Sequence, residues 1–225
     1  MTLRSQAYHA FTRQLLDRQL SPGQFVTQKE LATLTGFPLG AIREMIPRLE
    51  AEGLIRAIPQ RGLQVAQPDA KLVREAFELR EIIELAALAR FIAVAPDRAI
   101  QEQRAKLEAV RREAGHGITA ELLAQAQMTD WGFHDALVDV LANQLLSDIH
   151  RVNSIRIRMM MPDRVTLSEA TLPPAIAEHA AIIAAIEQRD VGAASAALRA
   201  HLASARRRAL AIEPPDGVHP HLVVG

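Results

Sequence analysis

The stops and starts between residues 27 and 62 constrain this chain more than any other feature. Thr27 and Glu30 have capping-box spacing, in which a hydroxyl and a carboxylate three residues apart each take one of the unbonded N–H groups at a helix start. A short helix Gln28–Leu34 follows. Thr35-Gly36-Phe37 reads as a tight turn, since glycine takes positive φ without a Cβ clash. Pro38 opens a second helix at the position where its missing N–H costs nothing. That helix runs to about Glu52 with Ile42, Met45, Ile46 and Leu49 on one face, and Pro47 is expected to kink it. Gly53 closes it. Leu54–Ile58 and Leu63–Ala66 then read as strands around Pro59-Gln60-Arg61-Gly62. Upstream, residues 3–20 have helical spacing up to Ser21-Pro22-Gly23, and Phe25-Val26 is long enough for a very short strand.

Helix, short strand, helix, turn, helix and hairpin is the order of a winged helix-turn-helix. After Gln67-Pro68-Asp69 almost everything is helical. Six helices are expected over about 69–95, 97–114, 118–140, 142–161, 166–189 and 191–213, with the fifth starting nearer Pro174 if Leu172-Pro173-Pro174 ends a loop. The breaks include Gly115-His116-Gly117 and Met161-Pro162-Asp163. The fold class is therefore mainly α. A winged helix-turn-helix domain (1–66), a linker (67–69), an antiparallel helical bundle (70–213) and a flexible tail (214–225) are expected.

Charge distribution supports two halves of different character. Net charge is zero over 225 residues, but through Ala66 there are eight Lys/Arg against five acids, and the remainder is acidic by the same three charges. A basic module joined to an acidic one suits local phosphate binding. Residues 1–20 hold Arg4, Arg13, Asp17 and Arg18 with no long apolar run, so neither a secretory leader nor a membrane span is expected, and the chain reads as cytoplasmic. It has no cysteine, so any metal must be held by His, Asp or Glu.

Asp130 and His134 stand four residues apart and share a helix face. His179 and His201 each lie eleven residues from Asp190, about 16 Å along their helices from the turn. An antiparallel hairpin would set both at one level, so four N/O donors from three helices would meet in the bundle. Such a set suits Zn, Ni, Mn or Fe(II). Spacing alone leaves open ordinary bundle histidines and a surface aspartate. His9, His116, His150, His219 and His221 lack a comparable pattern and are expected at the surface. Arg80 falls near the inward row Phe77, Glu84, Leu88 and Phe91. There it would either clamp a carboxylate bidentately or pair with Glu84. Asn153 and Arg156 lie on the fourth bundle helix, where Ile149, Val152 and Ile155 compete for the inner face, and at least one is expected at the pocket. Asn143 reads as a helix cap.

Lys29-Glu30-Leu31-Ala32, Ala41-Ile42-Arg43-Glu44, Leu49-Glu50-Ala51-Glu52-Gly53-Leu54-Ile55 and Arg61-Gly62-Leu63-Gln64-Val65 resemble the winged helix-turn-helix of the GntR family. Residues 69–213 resemble its FCD effector domain of the VanR-like six-helix type. That likeness rests on Leu79-Arg80-Glu81-Ile82-Ile83-Glu84, Asp130-Trp131-Gly132-Phe133-His134, Glu178-His179, Asp190 and His201. The resemblance implies a homodimer on a pseudo-palindromic, double-stranded DNA operator, most such proteins being repressors released by an effector. It implies a divalent metal on Asp130, His134, His179 and His201, and a small organic-acid effector near Arg80, Asn153 and Arg156. Arg43 would meet a guanine in the major groove, Lys29 a phosphate, and the Arg61-Gly62 wing tip with Gln60 a phosphate or the minor groove. The Gly40 amide is a further phosphate donor. One departure stands out: Pro38-Leu39-Gly40-Ala41 places Leu39 where the family carries an arginine. The alternative is a metal-dependent enzyme using the Asp/His cluster. Neither a Ser/His/Asp set nor a glycine-rich phosphate loop accompanies it.

Overall fold

The structure is a computed structural model and describes residues 2–67, 69–160 and 167–210. The Met161-Pro162-Asp163 break and the expected 214–225 tail lie outside the described residues. The N-terminal half runs α1 (Leu3–Leu16), β1 (Phe25–Val26), α2 (Gln28–Thr35), α3 (Leu39–Ala51), β2 (Ile55–Ile58) and β3 (Gly62–Val65). The helical half runs α4 (Ala70–Val94), α5 (Asp97–Ala114), α6 (Ala120–Asp139), α7 (Gln144–Met160), α8 (Leu172–Glu187) and α9 (Val191–Leu210).

The local signals explain most boundaries. The capping box forms: Glu30 N–H donates to Thr27 Oγ1 at 3.1 Å and Thr27 N–H to Glu30 Oε2 at 2.7 Å. Gly36 ends α2 in the left-handed region at φ 74°. Gly62 is required sterically, because its φ is +94° and a Cβ there would meet the Val26 carbonyl oxygen at 3.1 Å. The strands form an antiparallel sheet in the order β1-β3-β2, with Val26 opposite Leu63 and Ile55 opposite Val65. Asn143 caps α7, its Oδ1 accepting from the Leu145 and Leu146 amides. Helix α1 stops at Leu16 rather than running to residue 20. Arg18 turns left-handed at φ 60°, and its N–H and that of Gln19 close on the Leu15 and Gln14 carbonyls, an ending of the Schellman type. Helix α8 starts at Leu172, after a turn in which Ser168 N–H bonds the Thr171 hydroxyl at 2.8 Å.

The α3 face of Ile42, Met45, Ile46 and Leu49 buries against Tyr8, Phe11 and Leu15 of α1. That cluster also takes in Ile155 and Met159 of α7, so the helical half reaches into the N-terminal core. In the bundle, Leu88, Leu137, Ile182 and Leu198 bury α4, α6, α8 and α9 together. Helices α8 and α9 form the hairpin that the Asp190 break implied. Among the described residues no helix is long and apolar enough to cross a membrane.

Candidate metal centre and nucleic-acid surface

Asp130 and His134 on α6, His179 on α8 and His201 on α9 each offer one ligand atom, and these atoms lie within 4.8 Å of one another. The hairpin arithmetic is the reason: the His179 and His201 rings are 4.4 Å apart, and His134 stacks on His201 at 5.2 Å. The three imidazoles are buried, and the Asp130 side chain is 15% exposed.

Each imidazole is oriented by what its Nδ1 meets. His134 Nδ1 donates to Glu84 Oε2 at 2.7 Å, His179 Nδ1 to the Ala175 carbonyl at 3.0 Å, and His201 Nδ1 to Glu178 Oε2 at 2.8 Å. These bonds leave Nε2 as the second nitrogen of every ring. The Nε2 atoms of His134 and His179 are buried without a hydrogen-bond partner. Orphaned buried nitrogens are costly, and a cation satisfies them. Three imidazoles and a carboxylate, with no thiolate, fit a divalent transition metal. Such an ion would supply positive charge and open coordination positions for an oxyanion.

Electrostatics keep the donors ready to bind. Burial, then the Arg80 charge, pushes His134 down to about 3. Burial, then His201, pushes His179 down to about 4. Burial raises the Asp130 carboxyl, but His179, His134, His201 and Arg80 together hold it below the usual carboxylate range. Both histidines are thus neutral at neutral pH and need lose no proton to a metal. The unfolded chain takes up protons on them near pH 6.5 while the folded chain does not. Their contribution to stability is therefore full above that pH and lost as pH falls from about 6.5 towards 4. In EDTA, the free energy of unfolding is expected to drop by ~2–4 kcal/mol between pH 7.5 and 4.5. Urea midpoints that stay level across this range would overturn the assignment of these two rings as buried and neutral.

Arg80 forms the intrahelical pair with Glu84, one of its two sequence readings. Its Nε donates to Glu84 Oε1 at 2.6 Å, and its guanidinium lies 4.7 Å over the Trp131 ring, yet Nη2 is buried without a partner. Asn153 is buried and donates to the Ala76 carbonyl, tying α7 to α4. Arg156 faces away from the cluster: its Nε and Nη2 both donate to the Glu52 carbonyl at the end of α3. Helical rotation of α7 gives Asn153 and Ile157, four residues apart, to the bundle, and turns Ile155, Arg156 and Met159 towards the N-terminal half.

His150 corrects the expectation of a surface residue. It is 2% exposed, and its Nε2 meets Glu84 Oε1 at 3.1 Å. Glu84 is expected on the inward row and as a partner for Arg80, but its contacts to His134 and His150 are not foreseen in the sequence. An acid set in a helix row of Phe77, Leu88 and Phe91 was the available signal. Burial raises its carboxyl, but Arg80, His134 and the bonds from His134 and His150 hold it well below the ordinary range. Beside Asp130 and His179 lies an apolar cavity lined by Leu107, Val110, Phe133, Leu172, Ile176 and Ile183. It measures only about 20 Å³, room for a water, so a metabolite must move side chains to enter.

The N-terminal candidates lie on the surface. Lys29, Gly40, Arg43, Gln60, Arg61 and Gly62 are all exposed. Arg43 Nε bonds Gln28 Oε1 at 3.1 Å, which holds it where α2 meets α3. Arg61 lies 4.1 Å over the Phe25 ring, and Gln60 takes positive φ (62°) beside it at the hairpin tip. A Cβ on Gly40 would meet nothing within 4 Å, so the exposed start of α3 has room for a close neighbour.

A winged helix-turn-helix with exposed basic side chains on α2, α3 and the hairpin, joined to a helical bundle, has the architecture of a DNA-binding regulator with a second, effector-type half. The comparisons agree. Residues 3–65 match the bacterial regulatory proteins of the gntR family, and residues 75–204 match the FCD domain. The chain belongs to the GntR family and is a transcriptional regulator with an FCD effector domain. It is 28% identical over 200 residues to the HTH-type transcriptional repressor RspR of Escherichia coli, covering 88% of this chain and 84% of that one. It is 23% identical over 206 residues to the E. coli repressor GlaR, covering 90% and 94%. In fold it resembles E. coli McbR/YncC, with TM-score 0.78 and 18% identity over 94% of this chain and 98% of that one. These relatives are regulators, not enzymes, and the enzyme alternative falls on that ground.

Proposed function

We propose that the chain is a metabolite-responsive repressor that binds a pseudo-palindromic operator as a homodimer in the cytoplasm. Asp130, His134, His179 and His201 hold a divalent metal, which receives a small organic-acid effector. One observation carries this reading: four donor atoms within 4.8 Å, two of them orphaned buried nitrogens, lie in the sensory half of a GntR-family regulator. The unpartnered Nη2 of Arg80 supports an anionic effector. The names of RspR and GlaR support repression. Ile82 on α4 and Leu145 and Ile149 on α7 are exposed apolar side chains available for self-association.

On the DNA side, Arg43 reads a base edge, while Lys29, the Gly40 amide and the Gln60-Arg61-Gly62 tip position the backbone. The test is footprinting of the metal-loaded protein on the region upstream of its own gene, with sedimentation to count the protomers bound. Two protected half-sites about one helical turn apart are expected. Arg43→Ala should cost ~1–3 kcal/mol of operator affinity and relax the preference at one base pair. Arg61→Ala should weaken all sequences alike and reduce the salt dependence by about one counterion. No protected site, or two variants indistinguishable from wild type, would remove the operator reading. A screen of organic acids by thermal shift, with and without zinc, tests the effector.

A further inference from the structure

Helix α7 touches both halves with adjacent residues. His150 sits in the bundle, where its Nε2 shares the Glu84 carboxylate with His134: His150 meets Oε1 and His134 meets Oε2. Successive helix positions diverge by about 100°, and the next side chain accordingly leaves the bundle and points towards α1. Arg151 Nη1 donates to the Tyr8 hydroxyl on α1 at 2.9 Å. Tyr8 donates in turn to Glu52 Oε2 at 2.5 Å. Glu52 is the C-cap of α3, the recognition helix, and its other oxygen takes Arg48 Nε at 2.9 Å. One turn further along α7, Arg156 holds the Glu52 carbonyl, and beside it Ile155 and Met159 are buried in the N-terminal core.

We propose that this chain of contacts transmits occupancy of the donor cluster to the recognition helix. The inference rests on the metal reading of that cluster. A ligated His134 is fixed at Nε2 and can no longer shift freely against Glu84. Glu84 then re-aims His150, and α7 moves as a stiff rod, because its backbone bonds are all internal. Arg151, Arg156, Ile155 and Met159 carry that motion to Tyr8 and Glu52, which set the tilt of α3 against α1. A tilt of α3 in each protomer changes the match to two half-sites without Glu84, His150, Arg151, Tyr8 or Glu52 touching DNA or metal. The physical requirement is a two-state element that both sites bias. The α7 seat on Tyr8 and Glu52 is that element.

The chain carries its own two reporters, having one tryptophan and one tyrosine. Trp131 follows the ligand Asp130, and Tyr8 is the far end of the relay. The experiment titrates Zn(II) into the full chain labelled with [13Cζ]tyrosine, reading Trp131 fluorescence and the single Tyr8 resonance together. The Tyr8 resonance is expected to shift with the same zinc midpoint as the fluorescence, and His179→Ala should abolish both changes. Arg151→Met and His150→Leu should retain the fluorescence change and lose the Tyr8 shift, and either variant that folds suffices. Melting curves confirm folding. A Tyr8 resonance that ignores zinc while Trp131 responds, or one that still shifts in both variants, overturns the relay and leaves the metal site standing. If zinc moves neither signal in the wild type, the metal reading fails and the relay with it.

Discussion

Replacing His179 by alanine is expected to weaken zinc binding by about 100-fold or more. The ring is buried, its Nδ1 is committed to the Ala175 carbonyl, and its Nε2 has no partner but the cluster, lying 3.4 Å from Asp130 Oδ1. Removing it deletes one of four donors. It also leaves His134 and His201 facing a void that α8 cannot close, because Ile182 and Ile183 already fill their places in the core. The same change removes a buried unsatisfied nitrogen, which offsets part of the cost of the cavity. The two readouts therefore separate: zinc affinity by competition with a chelator falls steeply, while the melting temperature in EDTA falls only as far as the cavity requires. Equal zinc affinity in variant and wild type would sink the assignment of His179 as a ligand.

Glu84→Gln is expected to be the more damaging change to the fold. Three donors converge on that carboxylate: Arg80 Nε, His134 Nδ1 and His150 Nε2. An amide of the same shape offers one acceptor and turns an NH2 towards the other donors. The Arg80 side chain, 3% exposed, is left as a buried charge without its direct ion-pair partner. Breaking such a pair costs ~3–5 kcal/mol, against the small effect of replacing both partners by apolar groups. The melting temperature should fall by roughly 10 °C. Loss of the bond that orients His134 should also lower zinc affinity by about 10–100-fold. Arg80→Met combined with Glu84→Leu is the control, expected to be less destabilised than Glu84→Gln alone. A Glu84→Gln protein that melts with the wild type would show that the buried charge is compensated elsewhere.

Much of the donor cluster was legible before any coordinates. Asp130 and His134 follow from helical period. His179 and His201 follow from equal distances to the Asp190 turn, which needs only a tight hairpin to become a contact. The N-terminal half was equally legible, because its capping box, Gly36 turn and Gly62 hairpin are settled by residues three to five apart. Helix ends were less so. The left-handed Arg18 that stops α1 has no glycine to announce it, and the start of α8 depends on a Ser168/Thr171 turn.

The sequence by itself determined the order of elements, the exposed and buried faces of α3 and the clustering of four donors, since each depends on spacing within one helix or across one short turn. Tertiary structure alone decided the rest. His150 is buried, Arg156 serves the N-terminal half, Glu84 is shared between two histidines, and the cavity beside Asp130 has room only for a water. These contacts join residues 50 to 104 positions apart. They depend on how α4 and α7 are rotated about their axes. Helix α4 is apolar on much of its circumference and α7 is packed on two sides, so neither periodicity names a single inward face. Only packing against α1, α6 and α9 fixes those rotations, and with them which charged groups meet.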